Sequence, residues 1–512
     1  MKTPACFPFR GALPEMSLRG SWIMRKTAVG WLLLLVALFA LEPVFMRASS
    51  VVYPVGTTIY KPDKCWNGFT ILSGQDGRLI DMNGNLVHLW KGPFGFPNKA
   101  LPGGHLLVSR GVWKNGLEEA AEVQVRDFND RVIWKFNQWQ EAGPGEAEGT
   151  TWVARQHHDI QIKGYRIPDY GVQDFTRGTL LVLGHYNVKN DRINRNMELL
   201  DDVVYEVDMA TGEVTWSWKA AEHVDEMGFD KAAFKAMQNY SREYNGSDHG
   251  FDWFHQNCAS YLGPNKWFDQ GDRRFHPDNI ILSSRHAGIL AIVDHATGKI
   301  VWKTGPYYRE GDDKKLGWII GPHHTHIIPK GLPGEGNIMV YDNGGYSGYG
   351  PPNDMAPDGF MNMRRYHSRV IEFDPITKDI VWEYSPASLK ISEQQYGYKE
   401  FSPFVSSAQR LQNGNTLITE GSNGRAFEVT RDLEVVWEYI SPYSAYWDAP
   451  KAGNMLYRAY RVPYEWVPQL PKPAEVAVDP GPNHIFMIPA VDGSKPDFGI
   501  DKTPVWNPQD GW

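Results

Sequence analysis

Histidine opens three short stretches of alternating character in this chain: HHDIQI (157–162), FHQNCASYL (254–262) and HHTHIIP (323–329). A neutral imidazole nitrogen attacks an electrophile as a nucleophile, and a second imidazole hands a proton to the leaving oxygen. His157, His158, His255, His323 and His324 are therefore the candidate reactive groups. Asn257 follows on the same strand face as His255, and its amide suits developing negative charge. Arg285 ends the stretch SSR (283–285). A guanidinium grips a tetrahedral oxyanion such as sulfate through paired, charge-assisted hydrogen bonds. Thr419 reads as the residue at the like place in the last repeat, and a polar neighbour for the same rim.

Residues so far apart in sequence meet only if repeated elements carry them. Six segments end in the same way, with β-branched or apolar residues alternating into tryptophan: GNLVHLW (84–90), DRVIW (130–134), TGEVTW (211–216), TGKIVW (297–302), TKDIVW (377–382) and DLEVVW (432–437). Before each comes a middle strand, as in GRLIDMNG (77–84) or ILAIVDHATG (289–298). Before that comes a display strand after a turn, as in NGFTILS (67–73) or DNIILSS (278–284). Period-two alternation with turn residues at the joints marks antiparallel strands. A fourth strand can be placed ahead of the display strand in most repeats, and the histidines sit there. Four strands per repeat is the blade of a β-propeller. The expected fold is all-β, a six-bladed β-propeller over residues 51–470 with long loop insertions between strands. The spacing of the tryptophans widens after Trp134, so loops are inserted into the third, fourth and fifth repeats; 219–238 among them has a helix-like pattern. A further strand-like stretch, NMLYRAYRVPYEWV (454–467), follows the last repeat, and 471–512 reads as a Pro-rich wrap.

Competing readings of the histidines are limited by geometry. A tight metal triplet at His323, His324 and His326 is split between two strand faces, while a metal held between blades by His158, His255 and His324 stays open. A quinone-dependent dehydrogenase has similar Trp-ending repeats, but adjacent cysteines are missing. A pure binding propeller does not need the histidine set. His88, His105, His185, His223, His249, His276, His295, His367 and His484 stand alone and are set aside, with His286 and His326 kept as neighbours of the set. The tryptophans read as packing between blades, Cys258 as core, and Asp208, Asp294 and Asp374 as turn formers.

Across 512 residues, 42% hydrophobic and 22% charged content describe a globular protein, and a net charge of −8 without a basic stripe excludes nucleic acid as a natural partner. Arg25 and Lys26 precede an uncharged apolar run, 27–41, in the segment 1–49. Its length suits an export signal, and an uncleaved membrane anchor is the alternative. The expected location is periplasmic or extracellular. Cys65 and Cys258 either pair there or stay separate thiols. No phosphate-binding loop, metal-binding set or cofactor is assigned.

Taken together, FHQN (254–257), SSR (283–285), GPHHTHIIPKGLPGEGNIMVYDNGG (321–345), SRVIEFDP (368–375) and SSAQRLQNGNTLITEG (406–421) resemble the bacterial aryl-sulfate sulfotransferases, over roughly residues 51–470. The resemblance implies a six-bladed propeller. It also implies ping-pong transfer of a sulfuryl group from an aryl sulfate to a phenol through a sulfohistidine, without a nucleotide sulfate donor. The nucleophile falls in the pair of the fifth repeat, His324 or alternatively His323. His255 and Asn257 match the motif that steadies the sulfuryl oxygens, Arg285 the sulfate-binding arginine and Thr419 its polar neighbour. His158, or else His157, matches a further channel histidine. An N-terminal sandwich module found in some members has no counterpart, since the first repeat begins near Trp66.

Overall fold

The computed structural model describes residues 54–74, 76–92, 95–112, 117–142, 152–164, 174–241, 250–443 and 453–478. The segment 1–49, with its apolar run and Cys6, and most of the 471–512 tail lie outside them. Among the described residues no helix is long and apolar enough to cross a membrane.

Every display, middle and Trp segment is a strand, and they pair antiparallel in chain order. The fourth strands exist too: Lys99–Leu101, Gln156–Ile162, Gln256–Tyr261, His323–Ile327 and Ser407–Arg410, each bonded to the display strand that follows it. The first repeat takes this inner strand from the far end of the chain, where Ala459–Val462 pairs with Phe69–Leu72. The last repeat gains an outer strand from the near end, since Gly56–Tyr60 pairs with Val435–Ile440. The result is an all-β, propeller-like arrangement. Four sheets of four or five strands stand apart, while the second and third repeats merge into one nine-stranded sheet through the single pair Gln156 and Ala120. The insert after Trp216 turns through Ala220–Glu226 and becomes a helix, Lys231–Asn239, whose Asp230 cap accepts from the Ala233 N–H.

Each of the six repeat tryptophans does more than fill space. Its indole N–H donates to a carbonyl in the turn between middle and Trp strands of the next repeat. Trp90 reaches Asp127 (2.8 Å), Trp134 reaches Met209 (2.7 Å), Trp216 reaches His295 (3.0 Å), Trp302 reaches Pro375 (2.9 Å) and Trp382 reaches Arg431 (3.0 Å). Trp437 then reaches back to Met82 in the first repeat (2.7 Å). The apolar clusters follow the same order. Leu107, Val125, Ile160 and Val182 join the second repeat to the third; Leu417, Trp437, Leu72 and Ile80 join the last to the first.

The acidic turn formers behave as read: the Asp208, Asp294 and Asp374 carboxylates accept from backbone N–H groups two or three residues on. Cys65 and Cys258 are separate free thiols. Cys258 donates to the Thr325 carbonyl oxygen (2.8 Å), and burial pushes its thiol well above the ordinary range.

Trp437→Phe keeps most of the ring volume and deletes the donor that links last repeat to first. It should cost about 1–3 kcal/mol in urea unfolding, through the buried carbonyl left unpaired. Leu86→Ala, at an exposed position of the first Trp strand, should change stability by no more than about 0.5 kcal/mol.

Candidate active site along the inner strands

The inner strands begin with a local distortion. Their pairing with the display strands shifts between Gln156 and Ile160, between Gln256 and Cys258, and between His323 and His326. Within the first and third of these shifts, and just before the second, a histidine takes a left-handed backbone: His158 (φ 55°), His324 (φ 50°) and His255 (φ 49°). That conformation costs a non-glycine residue energy and gathers at functional positions. The ladders give the register: Gln256 pairs with Ser284 as Gln156 pairs with Gly184, so His255 matches Arg155, itself left-handed (φ 49°), while His158 and His324 each lie within the shift of their own strand.

His158 and His255 lie edge to face, ring centroids 4.9 Å apart. His255 Nδ1 donates to Asp252 Oδ2 at 2.6 Å, so its Nε2 carries the lone pair. His158 Nε2 lies 3.4 Å from Glu118, whose side chain is 41% exposed, and the His158 and His157 Nδ1 atoms share a 2.8 Å contact. His286 stacks on His255 at 4.6 Å and bonds the Asp252 carbonyl through Nδ1. Arg285 joins this group electrostatically with Glu118 and Asp252, and its Nε is buried without a hydrogen-bond partner. Burial holds the His158 and His255 imidazoles well below the ordinary range, and neighbouring positive or titratable groups add to it.

The histidine pair of the fifth repeat divides. His323 has both ring nitrogens engaged: Nδ1 donates to Asn343 Oδ1 (2.7 Å), and Nε2 accepts from the Val405 N–H (3.2 Å). His324 places Nδ1 2.8 Å from the Ala408 carbonyl oxygen and 3.3 Å from the Ala408 N–H, and the shorter contact favours the proton on Nδ1. Its Nε2 therefore keeps a lone pair, 3.5 Å from the Tyr460 hydroxyl. A cavity of about 170 Å³ opens beside it. Lys99, Asp159, Cys258, His324, Gln409 and Tyr460 contribute to its wall, one from each of six inner strands. Much of the rest is apolar, including Leu101, Ile162, Ile327 and Trp466. Asp159 holds two cations there, Lys99 (2.8 Å) and fully buried Arg458 (3.1 Å). Together they leave one uncompensated positive charge. His324 is kept well below the ordinary imidazole range by burial first and by Arg458 next.

The predicted set is thus only partly brought together. His157, His158, His255 and Arg285 gather with groups the sequence reading passed over: Glu118, Asp252 and His185. His185 was set aside as solitary, yet it stacks on His157 at 3.6 Å. A signal existed: His185 and Arg285 each stand seven places after the first turn residue of their display strands, Gly178 and Asp278. The same count in the last repeat gives Gly421, so Thr419 is not the equivalent of Arg285. Its hydroxyl is buried in the sheet, accepting from Ser407 Oγ and the Ala459 N–H, both at 3.0 Å. Asn257 is also fully buried; it donates to the Pro322 carbonyl (2.7 Å) and accepts from Ser283 (3.0 Å), which ties it to the backbone just before His323. His324 shares no ring contact or hydrogen bond with His158 or His255 among the described residues, so the metal reading that joined those three has no support in the geometry.

A family model described as arylsulfotransferase (ASST) matches residues 170–439, more than half of the chain. The chain belongs to the arylsulfotransferase family. Membership supports arylsulfotransferase activity in broad terms. The matched span contains His255, Arg285, His323 and His324; His158, Lys99 and Arg458 lie outside it. No curated protein matches the chain. Among solved structures, a protein of unknown function from Bacteroides caccae is 12% identical over 77% of this chain and 98% of that one, with a TM-score of 0.37. The Myceliophteria thermophila Cps50 (Swd1) β-propeller domain is 9% identical over 78% and 90%, with a TM-score of 0.34. Likenesses this distant decide nothing about the chemistry of an arylsulfotransferase.

His157 gives the site a pH signature. Burial lowers it to about 4 from the ordinary 6.5, against the pull of Glu119 and Asp252. Below pH 6.5 the unfolded chain binds a proton that the folded chain refuses until about pH 4. Stability present above pH 6.5 should therefore fall as pH drops toward 4, and His157→Gln should flatten that slope in urea titrations at stepped pH.

Proposed function

We propose that the chain is a six-bladed propeller that moves a sulfuryl group from an aryl sulfate to a phenol through a sulfohistidine at His324. The blade count is supported by the indole hydrogen bonds running from repeat to repeat and back to Met82, and by the six inner strands that wall one cavity. The observation that carries the chemistry is the state of His324: a neutral ring, protonated on Nδ1, whose free Nε2 borders an apolar cavity with a surplus positive charge. Lys99 would receive the sulfate oxygens, with buried Arg458 adding its charge from behind the wall, and the apolar wall would receive the aryl ring. The Nε2 lone pair forms an N–S bond while the S–O bond to the aryl group breaks. The departing phenolate oxygen takes a proton from the Tyr460 hydroxyl. In the second half-reaction, an acceptor phenol returns that proton to Tyr460, attacks sulfur, and restores neutral His324.

A second reading puts sulfur at the Arg285 end, with His255 attacking and Asp252 holding its tautomer. The unpartnered Arg285 Nε favours it. The two separate cleanly. Pulsing with an aryl sulfate should add roughly 80 Da, the sulfuryl mass, to one peptide, because a covalent route accumulates its intermediate. Label on His324, lost in His324→Asn and kept in His323→Asn, supports the first reading; label on His255 supports the second. No phenol release from any aryl sulfate would sink both. Because His324 is held below the ordinary range, it gains its proton only under acid conditions. The acid limb of kcat/KM should therefore lie below pH 6.5. Lys99→Met should raise KM for the sulfate donor about tenfold or more, the scale of one charge-assisted contact.

A further inference from the structure

Three buried donor atoms in the third repeat lie close together. His157 Nε2, His185 Nε2 and Asp202 Oδ1 each lack a hydrogen-bond partner in the structure. The three side chains are no more than 2% exposed. Asp202 Oδ1 lies 3.3 Å from His157 Nε2 and 3.6 Å from His185 Nε2, and all three atoms fall within 4.8 Å of one another. Leaving three such atoms unsatisfied in a core is costly, and a group of this kind calls for an occupant.

The rest of each side chain is already committed, so the free atoms are the ones a ligand needs. His185 Nδ1 donates to Glu119 Oε1 at 3.0 Å, and Glu119 is fixed by a bidentate pair with buried Arg155 (2.7 and 2.9 Å). The His157 Nδ1 proton is engaged with His158 Nδ1 at 2.8 Å. Asp202 Oδ2 accepts from the Gln256 N–H at 2.9 Å. Each imidazole thus offers an Nε2 lone pair, and a carboxylate behind His185 raises its basicity, as is usual for metal ligands. His185 and Asp202 are direct partners on adjacent strands, which holds two of the three donors at a set distance.

We propose that His157, His185 and Asp202 bind one divalent first-row transition ion, zinc being the natural first choice for two imidazoles and a carboxylate. A point equidistant from atoms spaced this way lies roughly 2.0–2.4 Å from each, against about 2.0–2.2 Å for zinc bonds to nitrogen and oxygen. The two rings stack 3.6 Å apart with 17° between their planes, so their Nε2 lone pairs run side by side here, and an ion would draw one ring off the stack to bind both. The site is separate from His324 and stands whether or not sulfuryl transfer is the reaction. Its effect on the channel would run through His157, which holds His158.

The test uses the full purified chain, loaded with zinc sulfate, desalted and analysed by elemental mass spectrometry. About one zinc per chain is expected, with at least tenfold weaker retention in His185→Gln and Asp202→Asn, and none of that loss in His286→Ala. X-ray absorption at the zinc edge of the wild type, which needs no variant to fold, should show two imidazoles and an oxygen. Wild type that keeps no zinc, undiminished zinc in both ligand variants, loss confined to His286→Ala, or a shell with fewer than two imidazoles would each overturn the assignment.

Discussion

The hydrogen bond from each of the six repeat tryptophans to a turn of the following repeat is the constraint on which the rest of the molecule depends. An indole N–H is a donor only, and buried it must find an acceptor. Here the acceptor is always a carbonyl between the middle and Trp strands of the neighbour, so packing and hydrogen bonding set the same repeat-to-repeat geometry. Trp437 has no later repeat to reach, and the first repeat answers through Met82. Repeats held in that way present their inner strands to a common interior, and only there can residues as far apart as Lys99, His324 and Tyr460 border one cavity.

The interior bears the costs of that arrangement. Burial keeps the channel histidines neutral, which is the state a nucleophile or a metal ligand requires. The left-handed backbone at His158, His255 and His324 falls in each case at or beside the start of an inner strand. The chemistry around it differs each time: a glutamate edge for His158, an aspartate for His255, a backbone carbonyl and two cations for His324. The same kind of strained strand start thus carries three electrostatic environments.

The strand order was legible because alternation and turn residues are local, and the tryptophans supplied a register. The indole hydrogen bonds were not, since a strand sequence does not say which carbonyl lies opposite in another repeat. The role of 454–467 was hidden for a related reason: nothing local marks Ala459–Val462 as the inner strand of a repeat that began almost four hundred residues earlier. With that strand came Arg458 and Tyr460, two of the groups nearest His324. Asp252 was legible in principle, three residues before His255, but a lone aspartate before a strand more often shapes a turn. Thr419 failed because it stands five places after Gly414, two short of the seven that separate His185 and Arg285 from their own turn residues.

The borrowed strand also sets a clock. As the chain leaves the ribosome, the first repeat has its display, middle and Trp strands early, yet its innermost edge stays bare until Ala459–Val462 is made. The pairing of Gly56–Tyr60 with Val435–Ile440 waits almost as long. Loop closure over such distances precedes any reward from the contacts themselves, which makes it a slow step. Through most of its synthesis the molecule is an open row of sheets, and it becomes a closed object only near the end of translation.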